Sequence, residues 1–236
     1  MIRALIVDDE IYSREEIEAM LNETGEFIVA GKCANVLEAI QAINREKPDV
    51  LFLDVQMPVI NGFELLGMIN EKVMPSVVFV TAYDEYALKA FDENALDYLL
   101  KPVEKERLLK TVEKLKKRLS EGVKPAFAGP DIKKIPCTHS SRIKLINTAE
   151  VEYVRSGETG VHVICKNGEF YTDLTLQVLE NKTGLVRCHK QFLINIDLVD
   201  EIIFRENGAA DIKTKSGRLV PVSRRYFRIL REKLLF

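Results

Sequence analysis

Apolar positions along this chain fall into two different textures. In the first half they come as short unbroken runs: Ala4-Leu5-Ile6-Val7, Phe27-Ile28-Val29-Ala30, Val50-Leu51-Phe52-Leu53, Val77-Val78-Phe79-Val80 and Tyr98-Leu99-Leu100. Runs of this length suit parallel strands buried on both faces. Between them lie longer segments with helical spacing. The clearest puts Leu108, Val112, Leu115 and Leu119 on one stripe of a segment otherwise rich in Lys, Glu and Arg. The alternation predicts an α/β fold, a doubly wound five-stranded parallel sheet with helices on both faces.

After Ser120 the texture changes. The stretch 121–130 holds two Gly and two Pro without any period, which reads as a linker. Beyond it, apolar and polar residues largely alternate in Arg142-Ile143-Lys144-Leu145, Val151-Glu152-Tyr153-Val154, Val161-His162-Val163-Ile164-Cys165 and Asp211-Ile212-Lys213-Thr214-Lys215. Asn167-Gly168, Asn207-Gly208 and Ser216-Gly217 fall between such runs as hairpin-type turns. Two segments, Thr175–Asn181 and Arg224–Leu234, have helical spacing, the second with Phe227, Leu230 and Leu234 on one side. The expected organisation is a domain over 1–120, a linker over 121–131 and a mainly antiparallel β domain over 132–236, with no helix-turn-helix pair.

Composition adds a division of charge to this division of texture. The whole chain of 236 residues has a net charge of -2. Residues 1–120 carry 15 Lys+Arg against 22 Asp+Glu, and the remainder carries 19 against 14. An acidic half joined to a basic half points to a cation site in one and a polyanion partner in the other. Hydrophobic residues make up 47% of the chain, enough for each half to bury a core. No apolar run approaches the ~20 residues that span a bilayer, and the N-terminal run meets Asp8-Asp9-Glu10 too early for a signal peptide. Cys33, Cys137, Cys165 and Cys188 fit no zinc spacing and read as reduced, buried thiols of a cytoplasmic protein without a membrane partner.

The residues that terminate the apolar runs carry the chemistry. The first run ends at Asp8-Asp9, the third at Asp54, the fourth at Thr81 and the fifth at Lys101. In an open parallel sheet ligands sit beyond the carboxyl ends of the strands, so these side chains meet at one edge. Three carboxylates crowded there repel one another unless a divalent cation joins them, and Mg²⁺ prefers such hard oxygen ligands. Lys101 supplies a positive charge for phosphoryl oxygens and Thr81 a hydroxyl. The set suits in-line phosphoryl transfer with Asp54 as nucleophile. Singly, an Asp after a strand is more often a turn former or helix cap.

These residues, with Asp54-Val55-Gln56-Met57-Pro58, Gly62, Thr81-Ala82 and Lys101-Pro102, resemble the receiver domain of two-component response regulators over residues 1–119. The resemblance implies a flavodoxin-like sheet in which Asp54 takes a phosphoryl group from a sensor histidine kinase. Asp9 and Asp54 would ligate Mg²⁺ directly, Gln56 through its backbone carbonyl and Asp8 mostly through water. Thr81 and Tyr98 would form the switch pair, with the Tyr98 ring moving inward. Without the resemblance, Tyr98 reads as an ordinary core aromatic.

The second half resembles the LytTR DNA-binding domain of the LytR/AlgR regulators over residues 132–234. Arg187-Cys188-His189-Lys190-Gln191-Phe192-Leu193-Ile194-Asn195 and Val220-Pro221-Val222-Ser223-Arg224-Arg225-Tyr226 carry that resemblance, and with the receiver the chain looks similar to the YehT-like members. It implies that Lys190, Arg224 and the loop around Glu158–Gly160 occupy DNA-contact positions. Glu158 is acidic, so that loop is set aside, and Lys190 is expected on phosphate. The residues themselves agree: Arg187, His189 and Lys190 precede an apolar strand, and Arg224 and Arg225 open a helix extended by Arg228 and Arg231. Such clusters neutralise phosphates, and Arg reads guanine edges. His162 and Cys165 read as strand residues rather than ligands.

The expectation is a phosphorylation-controlled transcription regulator, homodimeric when phosphorylated, that binds double-stranded promoter DNA and is not a conventional enzyme. An α/β phosphatase with an Asp nucleophile needs a second Asp two residues on, where this chain has Gln56. A protein-interaction role for the second half is the remaining alternative.

Overall fold

The computed structural model describes residues 1–122, 125, 127, 129–139, 142–205 and 209–234. They divide into two compact units, Met1–Pro130 and Asp131–Phe236.

The first unit alternates β1 (Ile2–Val7), α1 (Ile11–Thr24), β2 (Phe27–Cys33), α2 (Val36–Glu46), β3 (Val50–Leu53), α3 (Gly62–Gly67), β4 (Ser76–Thr81), α4 (Ala87–Asp92), β5 (Asp97–Leu100) and α5 (Lys105–Ser120). The five strands are parallel in the order β2-β1-β3-β4-β5. Every residue of β3 and β4 is buried, which is why these runs are apolar without alternation. One core joins Ala4, Ile6, Phe52 and Val78 of the sheet to Ile17 and Leu21 of α1 and Leu108, Val112 and Leu115 of α5. Leu119 departs from the expected stripe and is 40% exposed.

Helix entry follows side-chain chemistry. Asn35 accepts the Glu38 N–H at the start of α2, and Asn61 and Glu64 close a reciprocal capping box on α3. Two close backbone approaches depend on glycine. A Cβ on Gly62 would lie 2.4 Å from the Asp54 carbonyl oxygen. At the far end of α3, a Cβ on Gly67 would lie 2.7 Å from the Pro130 carbonyl oxygen, and one on Gly129 would lie 2.6 Å from the Gly67 Cα. Part of the expected linker is therefore laid against the receiver, with Phe127 buried as well. Val123, Lys124, Ala126 and Ala128 lie outside the described residues.

The second unit is antiparallel throughout its described pairings. It contains β6 (Lys134–His139), β7 (Arg142–Asn147), β8 (Val151–Gly157), β9 (Gly160–Cys165), β10 (Gly168–Thr172), α6 (Leu176–Lys182), β11 (Val186–His189), β12 (Phe192–Ile194), β13 (Val199–Phe204), β14 (Ala210–Thr214), β15 (Leu219–Val222) and α7 (Arg224–Leu234). Seven strands run in the order β11-β12-β8-β9-β10-β6-β7, and β13-β14-β15 form a smaller sheet. Val186, Cys188 and Ile194 of the large sheet pack with Ala210, Ile212, Val220 and Val222 of the small one and with Leu230 of α7. Phe227 joins this core partly buried, whereas the side chain of Leu234 lies outside the described residues. The turn before β10 falls on Lys166-Asn167, one residue earlier than expected because Gly168 already belongs to the strand; Ser216-Gly217 lies in the turn after β14, and Asn207-Gly208 lies outside the described residues. All four cysteines are free and buried, and burial pushes the Cys33, Cys137 and Cys188 thiols up to about 12 and Cys165 to about 11.

Asp97 ties α5 to the sheet at the start of β5. Its carboxylate accepts from Arg107 Nη1 (2.8 Å) and Nη2 (2.6 Å), Thr111 Oγ1 (2.7 Å), Lys114 Nζ (3.0 Å) and the Tyr98 N–H (3.1 Å). Burial alone would raise its pKa, but these donors outweigh burial and hold it well below the carboxylate range.

Two outcomes follow from these contacts. Gly62→Ala forces its methyl onto the Asp54 carbonyl and should lower unfolding free energy by about 1–3 kcal/mol, read from the urea midpoint. Asp97 has a depressed folded pKa, so its stabilisation is present above the unfolded carboxylate value near ~4 and is lost as pH falls through the folded value. Wild type should therefore exceed Asp97→Asn by about 2 kcal/mol at neutral pH, a modest figure because Arg107 and Lys114 are partly exposed. The gap should close as urea titrations are repeated from pH 5 downward.

Candidate functional site

The strand order sets the site. β1 and β3 are neighbours, so Asp8 and Asp54 leave the sheet side by side, and Lys101 follows β5 two strands away. Asp9, the residue after Asp8, joins them: one carboxylate oxygen from each of Asp8, Asp9 and Asp54 lies within 4.8 Å of the others. Lys101 Nζ spans the gap, donating to Asp8 Oδ2 at 2.7 Å and Asp54 Oδ2 at 3.3 Å. Asp8 is only 3% exposed and is met by two further donors, Ser13 Oγ on Oδ2 (2.6 Å) and the Glu10 N–H on Oδ1 (2.9 Å). Arg14 Nη1 fixes the backbone beneath, donating to the carbonyls of Asp8 (2.6 Å) and Asp9 (3.1 Å).

Burial raises the Asp54 pKa, while Lys101 acts in the opposite direction. Burial likewise works against the Lys101 ammonium, but Asp8 and Asp54 outweigh it and hold its pKa above the ordinary value. The Thr81 hydroxyl, fully buried at the end of β4, makes no hydrogen bond of good geometry among the described residues, yet lies near enough to Asp54 to favour its ionised form. A cluster of hard oxygens with one shared cation and one weakly met hydroxyl fits Mg²⁺ together with an oxyanion.

The loops around Asp54 are tightly bent. Val59 adopts a φ of +76°, rare for a β-branched residue, and the Ile60 N–H reaches the Pro58 carbonyl at 2.9 Å. The Gln56 N–H donates to Asp54 Oδ1 at 3.3 Å, and its side-chain Nε2 donates to the Tyr86 hydroxyl at 3.3 Å. Tyr98 is half-buried and its hydroxyl donates to the Tyr83 carbonyl in the loop before α4. Burial, followed by the charges of Asp84 and Asp54, pushes the Tyr98 pKa up to about 12. Ser13, Arg14, Tyr83 and Tyr86 were not visible as site residues in the sequence. Ser13 had a spacing signal, five positions after Asp8 and one turn into a helix, whereas the tyrosines had none.

In the second unit two backbone bonds gather the basic residues at one edge. The Ser223 N–H donates to the Cys188 carbonyl at 3.1 Å, setting the start of α7 beside His189 and Lys190. The Ser156 N–H donates to the Gln191 carbonyl at 2.8 Å, bringing up the β8–β9 hairpin with Glu158. Lys190, Arg224 and Arg225 are exposed there, and Arg225 lies over the Tyr226 ring at 5.7 Å. His189 is half-buried, its Nδ1 accepting the Gln191 N–H at 3.2 Å. Arg187 behaves differently. Its side chain is 13% exposed, pairs with Glu180 of α6 at 2.7 Å and donates to the Lys190 carbonyl at 3.3 Å, so it braces the turn from inside. His162 and Cys165 lie in β9, and His162 meets Glu169 at 2.9 Å.

Comparison with known proteins returns the same two halves. Residues 4–113 match the response regulator receiver domain family and residues 141–235 the LytTr DNA-binding domain family. The chain is 49% identical over 236 residues to an uncharacterized response regulatory protein of Vibrio cholerae, covering 100% of both chains. It is 45% identical over 237 residues to the transcriptional regulatory protein BtsR of Escherichia coli, covering 98% of each. Among solved structures, the REC domain of AraT, a response regulator of Geobacillus stearothermophilus, is 35% identical with a TM-score of 0.46 and covers 51% of this chain and 97% of its own.

Proposed function

The chain belongs to the response regulators that join a receiver domain to a LytTR DNA-binding domain, and from that premise we propose a phosphorylation-controlled transcription regulator with Asp54 as phosphoacceptor. The observation that carries the first half of this reading is the convergence of Asp8, Asp9, Asp54, Thr81 and Lys101 at one sheet edge. An Asp54 carboxylate oxygen attacks the phosphorus of a phosphohistidine on a sensor kinase. A P–O bond forms, the P–N bond breaks, and the imidazole keeps the electron pair and takes a proton. Asp9, Asp54 and the Gln56 carbonyl would hold Mg²⁺, with Asp8 mostly through water, and the ion when bound would supply positive charge for the phosphoryl oxygens. Lys101 moves its ammonium toward one of those oxygens, and the Thr81 hydroxyl gains a better-placed partner in another. As Thr81 is drawn in, the Tyr98 ring follows and gives up the Tyr83 carbonyl, which re-seats the loop before α4. Pairing of phosphorylated receivers into a homodimer then raises the effective concentration of the second domain on DNA.

The second half of the reading rests on the edge where Lys190, His189, Arg224 and Arg225 come together, with Arg187 bracing the turn. BtsR of Escherichia coli, the relative named as a transcriptional regulatory protein, supports it. Among the described residues no helix is long and apolar enough to cross a membrane.

Two experiments address the two halves separately. Asp54→Asn should abolish labelling by acetyl phosphate in Mg²⁺ while circular dichroism stays unchanged, and full labelling of the variant would remove Asp54 from the role. Arg224→Ala should cost ~1–3 kcal/mol on a cognate duplex and relax base preference, while Lys190→Ala should weaken cognate and scrambled duplexes alike and reduce the salt slope by about one. These are read by fluorescence anisotropy at several salt concentrations. Binding to neither duplex at low salt would instead favour a protein-interaction role for this unit.

A further inference from the structure

Asp8 Oδ2 receives two donors of different kinds, the mobile ammonium of Lys101 at 2.7 Å and the hydroxyl of Ser13 at 2.6 Å. Ser13 is 7% exposed and sits on the first turn of α1, whose backbone holds it in place while Arg14, the next residue, clamps the Asp8 and Asp9 carbonyls. A buried carboxylate that loses a donor bears the full cost of an unmet charge. Lys101 is shared with Asp54 and, in the reading above, turns to the phosphoryl group when it arrives. Ser13 has no second acceptor among the described contacts and stays on Asp8 in either state.

We propose that Ser13 is a positioning residue: its hydroxyl orients the Asp8 carboxylate for the cation site and keeps Asp8 Oδ2 hydrogen-bonded when Lys101 leaves. The proposal rests on the reading of this cluster as a Mg²⁺-dependent phosphoacceptor site. Partners that orient metal-binding carboxylates typically change metal affinity tenfold or more when removed, although they touch neither metal nor substrate.

The test uses the full chain as wild type, Ser13→Ala and Ser13→Cys, the latter keeping the side-chain volume with a poor donor. Mg²⁺ alone is titrated by calorimetry, and acetyl phosphate labelling is then followed against Mg²⁺ concentration. Both variants should show about tenfold weaker Mg²⁺ binding and a half-saturating Mg²⁺ raised to match, with labelling at saturating Mg²⁺ close to wild type. Thermal midpoints measured without Mg²⁺ report any loss of fold separately. Variants that are merely less stable, with an unchanged Mg²⁺ titration, would overturn the role of Ser13. If Ser13→Ala fails to fold, the Ser13→Cys titration decides alone. Wild type that neither binds Mg²⁺ nor accepts label would instead refute the phosphoacceptor reading.

Discussion

One ammonium group shared between two buried carboxylates constrains the receiver. Asp8 and Asp54 are adjacent because β1 and β3 are paired, and both are nearly inaccessible to water. Two like charges so placed are tolerable only with a cation between them, and Lys101 reaches them across β4 from the end of β5. The rest of the unit can be traced to that need. The sheet must close in the order β2-β1-β3-β4-β5, Gly62 must let α3 pass close to the Asp54 carbonyl, and α5 must hold β5 in line through Asp97. The acidic site is costly in isolation and stable only inside this frame.

The second unit uses charge in another way. Its cationic side chains are held at an exposed edge by main-chain bonds, from Ser223 to Cys188 and from Ser156 to Gln191, so their convergence does not depend on mutual attraction. Behind that edge the two sheets and α7 share one apolar core. Arg187 shows how two cations three positions apart take opposite duties: half-buried beside Glu180 it serves as a brace, whereas Lys190 is exposed.

Much of this was legible in the sequence because strands buried on both faces leave continuous apolar runs, and their polar terminators mark the functional edge. Asp8, Asp54, Thr81 and Lys101 were readable on that ground alone. The roles expected of Gln56 and Tyr98 rest only on family resemblance, since a backbone carbonyl and a ring leave no pattern. Three things were hidden for physical reasons. Leu119 keeps the spacing of its stripe and yet is exposed, because periodicity fixes a helix face and not how far along the helix that face is covered. The pairing of Arg187 with Glu180 joins a strand to a helix across a turn. The Gly129–Gly67 approach involves backbone alone, so residues of a stretch that looked like free linker gave no sign of their packing.

The buried Thr81 hydroxyl has a consequence for how such a molecule evolves. Buried and met only weakly by Asp54, it stabilises the resting fold less than a well-made hydrogen bond would. An oxyanion that satisfies the hydroxyl removes that deficit only from the occupied state, so ligand affinity and resting stability are linked through one atom. Selection for heat resistance alone would favour valine at this position, whereas selection for a ligand that needs the hydroxyl would keep it in place.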